Sequence, residues 1–295
     1  MIRRLRRVLS RLLGAILGPL VDKAVDQAMH EHLSRAVHDA MAHTIDTQWR
    51  RYLALAALAT RTRPPATLAA AECRVFSQNG EDGVLHALIQ HITVPRFFVE
   101  FGAGSGAEGN CVLLADVFDW SGLFIESHPP HFEALQSKYR GTRDVDVDRN
   151  EVTPSNVVEL FATHTVPSEF GVLSIDVDGL DYWIWDALVG YRPAIVVIEY
   201  NGSFPPGAHH LPSKESARWN GEGAFGASLR SLVDLGKAKG YELVHTDLTG
   251  VNAFFVRGDL VGDLPRGDEV FWRRANYFFQ WQGFDGPAPD YFQRD

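Results

Sequence analysis

Apolar residues recur along this chain with two periods, one helical and one of strands. Leu5, Leu9, Leu12, Leu13, Ile16 and Leu17 fall at helical spacing over residues 3–17, and Pro19 ends or kinks that helix. Beyond it, Val21, Val25, Met29, Leu33, Val37, Met41 and Ile45 stand every fourth residue with Ala24, Ala28, Ala36 and Ala40 beside them, which predicts one long helix. A period of four overshoots the helical turn by about 40° per step, so the stripe winds around the helix and makes no left-handed heptad seam. It suits self-association into a homo-oligomer, or a brace within the chain. From residue 72 onward, short β-rich runs alternate with helical stretches. Residues 97–101, 123–126, 145–147, 172–177 and 194–199 are predicted strands. Residues 241–245 and 252–257 have too little chain between them for a helix and predict an antiparallel hairpin. The result is an α/β, Rossmann-like doubly wound sheet, mostly parallel, with a helical extension in front of it.

Pro64 and Pro65 force extended backbone and divide a helical region, 1–63, from the sheet by a linker, 64–71. The sheet domain then spans 72–260. The tail, 261–295, is aromatic-rich, and Trp272, Tyr277, Phe278, Phe279 and Trp281 are expected to pack on the domain. Composition narrows the class. At 45% hydrophobic and 22% charged, the 295 residues have the balance of a soluble globular chain. Cys73 and Cys111 lack CxxC spacing and read as reduced thiols of a cytoplasmic protein.

Charge divides the chain as the pattern does. Residues 1–63 hold 11 Lys and Arg against 5 Asp and Glu, and the remainder 17 against 32. The acidic body argues against nucleic acid as a partner. The basic helix of residues 3–17 either lies peripherally on an anionic membrane or docks on the acidic body itself. No apolar run reaches the roughly 18 residues of a spanning helix, and no small-x-small cleavage site follows the basic start. The expected location is the cytoplasm or the inner face of the membrane.

The chemistry begins where the first strand runs into Gly102-Ala-Gly-Ser-Gly-Ala-Glu-Gly109 and a helical stretch, 110–118. Glycines between strand and helix admit a ligand close to backbone, and a helix N-terminus offers N–H groups to an anion. Gly104-x-Gly106-x-x-Gly109 matches the dinucleotide fingerprint in form, so an NAD-linked oxidoreductase is one reading. Glu126 ends the next strand, where an acid accepts hydrogen bonds from ribose in either cofactor class. The acid before the glycines, Glu100-x-Gly102-x-Gly104-x-Gly106, together with the terminal hairpin, resembles the class I S-adenosylmethionine-dependent methyltransferases. More closely, Ser77-Gln-Asn-Gly-Glu-Asp-Gly83, the loop 100–109, Ser174-Ile-Asp-Val-Asp-Gly179 followed by Asp181-Tyr-Trp, and Glu199-Tyr-Asn201 resemble the FkbM-related methyltransferases over residues 75–257.

That resemblance implies S-adenosylmethionine as cofactor and a hydroxyl acceptor, a glycan or another small molecule. Gly102, Gly104 and Gly106 would face the methionine end, Glu126 the ribose, and Asp146 or Asp148 the adenine, with Glu100 and Asp176 also among the cofactor-binding residues. Ser77, Gln78 and Glu81 would close over the cofactor, or else cap the helix that follows them. Asp176, Asp178, Glu199 and Asn201 stand at two adjacent strand ends. They would hold Mg2+ or Mn2+ and so lower the pKa of the acceptor hydroxyl; in the other reading Asp178 meets substrate directly and no metal takes part. The loop after 201 carries His209 and His210, candidates for the base, with Lys214, Trp219 and Asn220 nearby. A reading of another class is a catalytically silent scaffold assembled through the long helix.

Overall fold

The structure, a computed structural model, describes residues 67–142, 144–177, 179–214, 226–267 and 271–276. The predicted helices within 1–63 lie outside the described residues, as do Asp178, Trp219, Asn220, Tyr277, Phe278, Phe279 and Trp281.

A short 3-10 helix, Leu68–Ala71, leads into α1 (Glu81–His91), β1 (Phe97–Phe101), α2 (Val112–Asp116), β2 (Ser121–Ile125) and α3 (Pro129–Tyr139). Then follow β3 (Val145–Asp148), α4 (Val157–Thr163), β4 (Glu169–Ile175), α5 (Asp181–Ala187), β5 (Arg192–Glu199), α6 (Leu229–Lys239), β6 (Tyr241–Thr246) and β7 (Asn252–Arg257). The seven strands form one sheet in the order β3-β2-β1-β4-β5-β7-β6. The first five are mutually parallel, β7 runs antiparallel beside β5, and β6 pairs with β7. This is the doubly wound sheet with a terminal hairpin that the pattern predicts.

Both faces of the sheet are covered, which explains why strands such as Ile195-Val-Val-Ile198 read as unbroken apolar runs. Phe98, Phe124, Val172 and Val197 meet α1, α2 and α3 on one face. Val99, Leu123, Leu173 and Val196 meet α4, α5 and α6 on the other. Alternation then assigns the polar residues at the strand ends: Glu100, Ser174 and Glu199 share the α1 face with Phe98, Val172 and Val197.

Several predicted boundaries move, and two of the shifts have a local reason. The fourth strand stops at Ile175 because Asp181 accepts hydrogen bonds from the amides of Val177 (2.9 Å) and Gly179 (2.8 Å), drawing the chain into a turn. The helix predicted over 110–118 contracts to Val112–Asp116, since the amides of Asn110 and Cys111 are taken by a carboxylate described below.

Leu68 and Ala71 are buried, and the 3-10 helix packs on α1 so closely that a Cβ at residue 83 would overlap the Ala71 carbonyl oxygen. Gly83→Ala ordinarily favours a helix by about 1 kcal/mol. Here it should destabilise the fold by about 1–3 kcal/mol through overpacking, read as a lower urea midpoint with an unchanged slope. A higher midpoint would show that residues 68–71 do not seat on α1.

Candidate functional site

In an open α/β sheet ligands bind beyond the carboxyl ends of the strands, and there the glycine loop turns. Gly102 has φ +72° and lies so near β4 that a Cβ would overlap the carbonyl oxygen of Asp176. Gly104 has φ +56° and faces open space, with nothing within 4 Å of where a Cβ would stand. The amide of Gly104 donates to Glu126 Oε2 (2.7 Å), while Glu126 Oε1 accepts from the amide of His128 (2.6 Å). Glu126 therefore ties the middle of the loop to the turn before α3. Each carboxylate oxygen retains acceptor capacity beyond one amide. Lys138 Nζ closes the far end of the loop on the Gly106 carbonyl (2.6 Å).

Glu100 works inside the protein. Only 3% exposed, it accepts from the amides of Asn110 at Oε1 (2.8 Å) and Cys111 at Oε2 (2.9 Å). These two amides lie just before the N-terminus of α2, where a helix offers N–H groups to an anion. A carboxylate already fills that position, and α2 behind it has only five residues. Burial pushes the Glu100 carboxyl up to about 7 against the two amides that favour its charge.

The segment before α1 is knotted by its own acids. Asp82 Oδ2 accepts from the amides of Val75 (2.9 Å), Phe76 (2.7 Å) and Ser77 (2.7 Å) and from Ser77 Oγ (2.8 Å), and Ser77 Oγ accepts in return from the Asp82 amide (3.1 Å). Burial raises Asp82 to about 6. Glu81 takes the Asn79 amide (2.8 Å) and reaches across to Asn252 Nδ2 (2.7 Å) at the start of β7. Since Asn252 pairs with Glu199 in register, the loop sits over the carboxyl end of β5. Ser77 and Glu81 are buried, whereas Gln78 is exposed. Asp247 organises the hairpin turn from Thr249 Oγ1 (2.8 Å) and the amides of Val251 (3.0 Å) and Asn252 (2.7 Å), its carboxyl raised by burial and by Glu81. A buried pair, His245 Nε2 with Glu72 Oε1 (2.8 Å), fastens the same loop to β6.

The remaining candidates divide. Asp176 is half-buried beside the glycine loop, and Asn201 Oδ1 accepts from the Ser203 amide (2.9 Å). His209 is exposed with Nδ1 3.5 Å from Asp234 Oδ2 on α6, and the His210 ring stacks on Phe204 at 4.1 Å. Asp148 lies 3.0 Å from His164 Nε2, while Asp146, 68% exposed, is 3.8 Å from Nδ1 of the same ring. Among the described residues no three His, Cys, Asp or Glu side chains come together as a metal site. A cavity of about 480 Å³ opens at the opposite, amino end of β1 and β2, lined by His91, Arg96, Phe118 and Trp120 among others, and none of the residues above reach it.

Sequence reasoning missed Asp82, Asp181, Asp247 and Asn252 as organisers. Asp247 could have been found as the first residue of an Asp-x-Thr-Gly turn. Asp82 and Asp181 also act locally, on amides that precede them by 2 to 7 residues within motifs the resemblance singles out, and only Asn252 meets a partner chosen by the fold.

No family model matches the chain, and no curated protein matches it. Among solved structures, the N-terminal domain of EvdMO1 with SAH bound is 16% identical, at a TM-score of 0.40, over 60% of this chain and 79% of that one. Fibrillarin from Aeropyrum pernix in complex with natively bound S-adenosyl-L-methionine is 12% identical, at a TM-score of 0.38, over 55% and 66%. StiE O-MT is 10% identical, at 0.35, over 54% and 50%. Likeness of this degree leaves the fold assignment resting on the strand order of this chain itself.

Between pH 4.5 and 7 the folded protein keeps a proton on Glu100 that the unfolded chain has lost, so stability falls as pH rises through that window. Relative to Glu100→Gln, the unfolding free energy of the wild type should drop by about 3 kcal/mol from pH 4.5 to above 7. The constant penalty of the glutamine cancels from this slope. Parallel pH profiles for the two proteins would contradict the burial of Glu100.

Proposed function

We propose that the chain is an S-adenosylmethionine-dependent O-methyltransferase whose acceptor is a sugar hydroxyl of a glycan or related metabolite. The observation that carries this reading is Glu100 seated on the amides of Asn110 and Cys111, which takes up the anion donors before α2, while the Gly104 amide ties the glycine loop to Glu126. The antiparallel β7 between β5 and β6 supports it, because the dinucleotide fold runs 3-2-1-4-5-6. The glycan acceptor follows from the FkbM-related resemblance.

Transfer is an in-line displacement. The acceptor oxygen forms its bond to the methyl carbon as the carbon–sulfur bond breaks, the electron pair stays on sulfur, and the hydroxyl proton passes to a base. Of the described candidates, His209 has a carboxylate, Asp234, to orient its ring. Asp178 and His210 are the other groups to test. The described oxygen donors do not assemble a hard-cation site: Asn201 Oδ1 serves Ser203, and Asp176 and Glu199 belong to no metal-holding group of three. Asp178, the fourth expected donor, lies outside the described residues; in this reading the proton leaves to a side chain.

Residues 3–17 would hold the enzyme on an anionic membrane surface, and the stripe of residues 21–45 would pair copies of it. No helix among the described residues is long and apolar enough to cross a membrane.

Incubation with S-adenosylmethionine and candidate glycans should add one methyl group, detected by mass spectrometry, at a rate that exhaustive EDTA leaves unchanged. Loss of transfer on chelation, restored by Mg2+, would return the metal to the mechanism. Gly104→Val fills the open space and strains a left-handed position, so it should weaken S-adenosylmethionine at least tenfold in calorimetry; unchanged affinity would remove the glycine loop from the cofactor site.

A further inference from the structure

The segment 271–276 crosses the carboxyl end of β5 and the β6–β7 turn as a strap. Tyr200 Oη donates to the Arg273 carbonyl (2.9 Å) and accepts from the Arg273 amide (3.3 Å). Trp272 Nε1 donates to the Phe204 carbonyl (2.7 Å), Thr246 Oγ1 to the Phe271 carbonyl, and the Asn276 amide to the Thr249 carbonyl (2.6 Å). Two glycines let it pass. A Cβ on Gly202 would stand 2.6 Å from the Ala275 nitrogen, and one on Gly250 would stand 2.6 Å from the Arg274 carbonyl oxygen. The main chain of Arg273 is thus held on both sides, and its side chain takes no part in holding it.

Among the described Lys and Arg residues Arg273 is set apart by a buried Nε that has no hydrogen-bond partner. From residue 64 onward 32 acids face 17 Lys and Arg. Arg74 pairs with Glu108 (2.8 Å), Arg230 with Asp234 (2.9 Å), Arg257 with Asp259 (2.7 Å) and Lys138 with Asp116 (2.7 Å). Arg273 has no such partner among the described residues, and its Nε is buried without a hydrogen bond. A guanidinium stays charged at any pH the protein meets, and an N–H of it withdrawn from water without an acceptor is costly. The Arg273 main chain is bonded to Tyr200, which follows β5 between Glu199 and Asn201, at the end of the parallel strands where ligands bind in such sheets.

We infer that Arg273 receives an oxyanion of the methyl acceptor, a phosphate or carboxylate group, so that the acceptor is an anionic sugar or metabolite. The planar fork of the guanidinium suits either group through paired N–H donors. The assignment of the anion to the acceptor rests on the methyltransferase reading; the oxyanion site itself does not.

Inorganic phosphate and, separately, acetate are titrated into the full chain, its Arg273→Gln variant and its Arg273→Lys variant, with S-adenosylhomocysteine as a second ligand. The wild type should bind phosphate or acetate in the millimolar range, and Arg273→Gln should weaken the bound anion at least tenfold. All three proteins should bind S-adenosylhomocysteine within twofold of one another. The tighter anion names the acceptor's group. Should Arg273→Gln not fold, Arg273→Lys, which keeps the charge and loses the fork, must still weaken the anion at least threefold. Equal anion affinity in wild type and variants, an adventitious ion only, overturns the inference. So does a variant that loses S-adenosylhomocysteine and keeps the anion, because the guanidinium would then serve the cofactor. If the wild type binds no S-adenosylhomocysteine yet loses its anion in Arg273→Gln, the oxyanion site stands and the methyltransferase reading falls.

Discussion

Glu100 is the point on which the carboxyl end of the sheet depends. By accepting from Asn110 and Cys111 it turns the chain back after the glycine loop, shortens α2, and supplies from within the protein acceptor oxygens for the donors before that helix. The loop in front of it is then free to meet a ligand through Gly104 and Glu126. In the proposed reading a nucleoside cofactor meets the loop there. The cost is a buried carboxyl, tolerated because two amides partly offset desolvation.

The same economy recurs around it. Asp82 and Asp247 are also buried, both with raised pKa values and both spent on backbone amides and hydroxyls. Each closes a turn at the ligand end of the sheet: Asp82 the segment before α1, and Asp247 the β6–β7 turn. Glu81 joins the two through Asn252. The residues that border the site are thus positioned by carboxylates that themselves stay out of solvent, and the strap of residues 271–276 lies over this frame.

Strands were legible because both sheet faces are covered, so each runs as a block of apolar residues bounded by turn signals. The hairpin followed from the shortness of residues 246–251. Boundaries failed where a side chain overrode the pattern, as Asp181 does at Val177 and Glu100 does at Asn110. Within the candidate site, the glycine loop and Glu126 were legible from spacing along a strand, a turn and the next strand. The bond from Glu81 to Asn252 was not, since it joins residues far apart in the chain that only the sheet order brings together. Arg273 gives no signal at all in sequence, because what distinguishes it is the burial of its Nε without a partner, which only the fold creates.

The central proposal is that this loop binds S-adenosylmethionine and not a dinucleotide. Titration of the full chain with S-adenosylhomocysteine and with NAD, each followed by quenching of tryptophan fluorescence, tests it most directly. The account predicts saturation by S-adenosylhomocysteine and no response to NAD. Saturable binding of NAD, with none of S-adenosylhomocysteine, would contradict it.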